Sequence, residues 1–150
     1  MPDCPMVQIH KKIVELIAVN YSGLYANVDL TNNVIRGMVD QPPVVPYGCV
    51  RFVDAPEDYG PTMGRFQGTA QFDAFGFIGG GSSTERTDNA LNLASDMITK
   101  ITANRQLSLG TLVDDVLCNF SAIDGEAVGI SGVGICLVRI SVRFRSETGV

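Results

Sequence analysis

The chain has no tryptophan, a single histidine, four cysteines with no C-x-x-C spacing, and no apolar run approaching membrane-spanning length. Each shortage removes a class of function. A structural zinc site needs four converging ligands, which usually arrive as close pairs. Cys4, Cys49, Cys118 and Cys136 are scattered and have only His10 to help them. Cys118 and Cys136 fall within apolar strand patterns, so they are expected to be buried free thiols, consistent with synthesis in a reducing, intracellular compartment. One histidine leaves hydrolytic chemistry short of a base, and no serine stands in a G-x-S-x-G setting. No catalytic residues, metal or cofactor are expected. The longest early apolar run, Ile13 to Val19, is interrupted by Glu15 and lacks a cleavage-like ending. It is also well short of the roughly 18 residues a membrane helix requires. Basic residues are scarce too. Eleven Lys and Arg stand against 16 Asp and Glu, a net charge of −5, which opposes global attraction to nucleic acid or anionic membrane.

What is present is the material of one folded domain covering residues 1–150. Apolar residues make up 45% of the chain and charged residues 18%, enough for a sizeable core. Pro5, Met6, Ile9, Ile13, Leu16 and Ile17 recur at helical spacing and define an amphipathic helix over about 5–19, with His10 at its solvent edge. A short strand is expected around Val34 to Val39. Five of the seven prolines fall between 42 and 61. They bracket a strand at Gly48–Val53 and an acidic turn containing Asp54, Glu57 and Asp58.

Residues 65–78 alternate cleanly. Phe66, Gly68, Ala70, Phe72, Ala74, Gly76 and Ile78 share one face, and its small members allow a helix to approach closely. Arg65, Gln67, Thr69, Gln71 and Asp73 share the other, until Phe75 and Phe77 place two aromatics on that polar side. The pair is either an interface or a patch covered by the 54–64 loop of the same chain. A helix over about 84–104 follows, capped by Ser83 or Thr84, with Ala90, Leu91, Ala94, Met97, Ile98 and Ile101 as its buried stripe. Two further strands close the chain. The first sets Val116, Cys118, Phe120 and Ala122 against Asp115, Asn119 and Ser121. The second, Ile135 to Arg145, sets Cys136, Val138, Ile140, Val142 and Phe144 against Arg139, Ser141, Arg143 and Arg145. One-sided strands and two helices in need of a surface imply an α+β fold, a mostly antiparallel sheet with both helices on one face.

The signals for chemistry are weak. Gly79-Gly80-Gly81-Ser82-Ser83 sits between strand and helix, where phosphate loops occur, but no lysine follows before Lys100 and the dinucleotide fingerprint fails at Thr84. Adjacent Asp114 and Asp115 point to opposite faces of a strand and form no acid/base pair. Asp54, Glu57 and Asp58 lack the ligand alternation of a calcium loop. The arginines are more informative. Arg139, Arg143 and Arg145 share one face of one strand in an acidic protein. They read as a solvated face neutralised by Asp73 or Asp115, as a subunit interface, or, less well, as a contact with passing DNA.

In order, these pieces resemble the bacteriophage tail terminator (tail completion) family. The likeness lies in an N-terminal helix, a proline-rich run before a short strand (PPVVPYGCVRFV), an alternating strand (RFQGTAQFDAFGFIG), a long helix (TERTDNALNLASDMITKI) and a terminal hairpin (LVDDVLCNFSAID with GICLVRISVRFRS). It covers about residues 5–146. The resemblance implies a structural virion protein of the tail or neck, made in the host cytoplasm. Such a protein forms a ring, commonly a hexamer, on the finished tail tube, where it stops tube growth and meets the head connector or stopper. DNA would pass near its lumen. Phe75, Phe77, Arg139, Arg143, Arg145, Asp54, Glu57 and Asp58 are then the interface candidates. Another neck or head–tail joining protein, or a small-ligand or nucleotide-binding domain, are the alternatives.

Overall fold

A computed structural model describes residues 2–56 and 66–146. The order of elements is α1 (Pro5–Ile17), β1 (Val34–Arg36), β2 (Tyr47–Asp54), β3 (Phe66–Gly79), α2 (Ser83–Thr102), β4 (Val113–Asp124) and β5 (Val133–Ser146). The strands form one sheet in the order β1-β2-β3-β5-β4. Only the β1–β2 pair is parallel; the other three pairs are antiparallel. This is the expected α+β fold, with both helices packed on one face.

That face is dry. Ile9, Ile13 and Ile17 of α1 and Ala90, Leu93, Ala94, Met97 and Ile101 of α2 close over Val50, Ala70, Phe72, Ala74 and the even-numbered residues from Cys136 to Phe144. The small residues act as anticipated at one end of β3. A Cβ on Gly76 would lie 2.7 Å from Leu93 Cδ2 and from Cys136 Sγ, so α2 rests directly on the backbone there. Gly68 differs: its close neighbour is the Pro56 carbonyl, not a helix. On β5, Gly134 meets the Arg86 backbone in the same way.

Three helix details depart from the sequence reading. Ser82, not Ser83 or Thr84, caps α2, its hydroxyl accepting the Glu85 amide at 3.2 Å. The α2 stripe runs through Leu93, while Leu91 is 41% exposed, because 86, 90, 93, 97 and 101 lie three or four residues apart on one helix face and 91 falls off it. His10 is buried, not at the solvent edge; its Nε2–H donates to the Val50 carbonyl at 2.7 Å and its ring lies 5.3 Å from Phe72. Residues 20–33 form a loop held by an Asn20–Asp29 bridge and by the Asp96 carboxylate, which accepts the Ala26 amide at 2.7 Å. Among the described residues no helix is long and apolar enough to cross a membrane.

Candidate functional site

Among the described residues, the face of the sheet away from the helices is covered at one end only. Strand alternation brings Arg51, Asp73, Arg139, Ser141, Gln71 and Arg143 onto its open half. Asp73 is the hub, with its side chain 10% exposed. Arg51 Nη2 lies 3.0 Å from Asp73 Oδ2, and Arg139 Nε 4.0 Å from Oδ1. Ser141 Oγ donates to Gln71 Oε1 at 2.9 Å. Arg145 pairs with Asp114 at 2.9 Å, and Asp115 pairs with Arg105 at 3.5 Å. Arg51, Arg139 and Arg145 of this face are thus paired across strands, the first two sharing Asp73. Asp73 contributes as expected; Asp115 instead serves Arg105, beyond the sheet. Arg143 faces solvent.

The other half of this face is apolar. Phe77 is only 2% exposed, clustered with Tyr47, Cys49, Val133 and Ile135 under Val39, Phe75 and Ile130. Of the two alternatives for the pair, Phe77 follows the second, being covered by its own chain and not exposed beside Phe75. Odd positions of β3 do leave the helix-covered core, but the loops before β2 and before β5 form a second small core over them. Among the described residues the cover comes from Val39 and Ile130; most of the 54–64 stretch lies outside them. Phe75 is half-buried and lines a cleft of about 250 Å³ with Met38, Ile123 and Val128. Asp54 ends β2 and is exposed; Glu57 and Asp58 lie outside the described residues.

The glycine turn does not present an empty anion cradle. The Glu85 carboxylate accepts the Gly81 amide at 3.1 Å, and Ser82 takes the Glu85 amide. A carboxylate from the helix itself already takes one amide of the turn, at the end where the helix dipole favours negative charge. Just inside, Arg86 grips Asp124 through two bonds of 2.9 Å, with Glu126 at 3.7 Å. The guanidinium holds the Asp124 carboxyl far below the usual carboxylate range. This latch ties the start of α2 to the end of β4. Its signal was present in the sequence, since Arg86 stands on the apolar stripe of α2 and a charge there needs a partner.

A second cleft of about 210 Å³ opens between α1 and the β1–β2 edge, lined by Met6, Val7, His10, Arg36 and Phe52. Burial, opposed by the bond to Val50 and aided by the Arg36 charge, lowers the His10 pKa below its ordinary value. Cys136 and Cys118 are poor nucleophiles: burial pushes their thiols up to about 12 and about 11, so both stay protonated at neutral pH. Among the described residues, no three His, Cys, Asp or Glu side chains converge to hold a metal ion. Compared with models of known protein families and with curated protein sequences, the chain matches none.

Proposed function

We propose that the chain is a structural assembly protein that forms a ring on the end of a phage tail tube, stops tube polymerisation and provides the joint to the head connector. The observation that carries the assembly part is the distribution of surface apolar groups. Leu117, Phe120 and Ile123 on β4, and Val128 just after it, are 61%, 49%, 43% and 57% exposed. They gather at one border of the sheet, and Phe52 and Val53 lie exposed on β2 toward the opposite border. A head-to-tail ring needs two different patches on each subunit, and two separated apolar borders meet that need. The tail-tube part rests on the order of elements and its resemblance to tail terminators.

The test is direct mixing with purified tails that lack a terminator. Under electron microscopy the protein should form rings at tube ends and block further addition of tube subunits. Tubes that continue to grow in its presence, with bare ends, would exclude the reading. The nucleotide-binding alternative is weakened by Glu85, which already takes one amide of the turn a phosphate would enter.

A further inference from the structure

Among the described residues the outer side of β4 is a free sheet edge, and it lacks the usual defences of one. Natural edge strands are blunted by charge, proline or a bulge. From Val116 to Ile123 the sequence is VLCNFSAI, without any of these; the β4 irregularity lies earlier, between Val113 and Asp115. The backbone shows which amides are open. Val116 has both its groups taken by side chains: its amide donates to Asp115 Oδ1 at 2.9 Å, and its carbonyl accepts Arg105 Nη1 at 2.7 Å. Those groups therefore point away from β5. By the alternation of an antiparallel ladder, so do those of Cys118, Phe120 and Ala122.

We propose that this edge pairs with the same edge of a second copy, antiparallel about a two-fold axis at Phe120, making the free chain a dimer with one continuous ten-stranded sheet. Self-complementarity selects the occupant and the register. With Phe120 opposite itself, Leu117 faces Ile123 of the second copy, Asn119 faces its Ser121, and Cys118 faces its Ala122. Phe120 covers its own copy on the helix side of the sheet, while on the open face Leu117 covers Ile123 of the second copy and the polar pair meets. A shift of two residues either way sets an apolar side chain of this group against a polar one: Leu117 against Ser121, or Asn119 against Ile123. Charge agrees as well. Arg105, exposed at the Val116 end, approaches the end of the partner strand, where Glu126 of the second copy is 58% exposed. The contact is isologous and uses β4 side chains that also form one of the proposed ring patches, so it describes the free chain and must part before that patch joins a ring; it does not rest on the proposed function.

Phe120→Lys places two cations on the two-fold axis and should convert the dimer to a monomer in sedimentation velocity. The monomer should stay folded, since Phe120 is half-exposed at a border, with a melting temperature lowered only by the lost association. Independently, Asn119→Cys/Ser121→Cys should give a disulfide-linked dimer on copper–phenanthroline oxidation, in yield well above the wild-type chain treated alike. A wild-type chain that sediments as a monomer across the micromolar range would overturn the proposal. So would an assembly of any size that survives Phe120→Lys, or a double-cysteine chain that does not crosslink. Should Phe120→Lys fail to fold, the crosslink alone decides.

Discussion

The two ends of the open sheet face are built from the same strands, yet one is a core and the other a surface. At the Phe77 end, the loops carrying Val39 and Ile130 fold back and bury the aromatics. At the Asp73 end no described element returns, and the side chains settle charge among themselves through Arg51, Arg139 and Asp73. Residue type on a strand face thus tracks what covers it. A polar row that turns aromatic marks the point where a loop comes back over the sheet.

The largest effect that would break this comparison is at Phe77. Phe77→Ser should cost about 3–5 kcal/mol, as for truncation of a buried phenylalanine, and urea denaturation would show it. An unchanged midpoint would mean the small core is not formed and the pair is surface after all. Ala74→Phe overfills the layer between β3 and the helices, where Ala74 is fully buried, and should cost about 1–3 kcal/mol in the same assay.

A smaller effect is pH-dependent. Because the folded state lowers the His10 pKa, the unfolded chain takes up a proton first. Stability should therefore be complete above the ordinary histidine value, about 6.5, and decline as pH falls from there toward the folded value. His10→Gln, which retains a donor for Val50, should lose less melting temperature than wild type between pH 7.5 and 5.5. Equal slopes for the two chains would show that His10 is not the group responsible. Smallest of all is Arg143→Ala, which should change stability by no more than about 0.5 kcal/mol because the side chain is exposed on the open half.

Much of this fold was legible because the long strands alternate without interruption. The faces of β3 and β5 could be read from residues 66–78 and 135–145, and with them the side on which the helices lie. What escaped depends on partners distant in sequence. The burial of His10 requires the Val50 carbonyl, which also accepts the Gly37 amide at 2.7 Å at the end of the short β1–β2 pairing. The loop at 20–33 has no periodicity of its own and is fixed by Asp96, about seventy residues away along the chain. Phe77 could not be placed for the same reason: alternation gives the face, but only tertiary structure gives the cover. The arginine row was legible as a row, while its pairing with Asp73 and Asp114 was only half foreseen. The edge of β4 could not be found at all without the strand order.

The central proposal, that this chain ends tail-tube growth in a phage, is tested most directly by deleting its gene from the phage the proposal assigns it to and measuring tail lengths by electron microscopy. The account predicts tails of uncontrolled length, or tails that never join heads, with normal virions restored by the wild-type gene in trans. Infectious virions with tails of normal length in the deletion strain would contradict it.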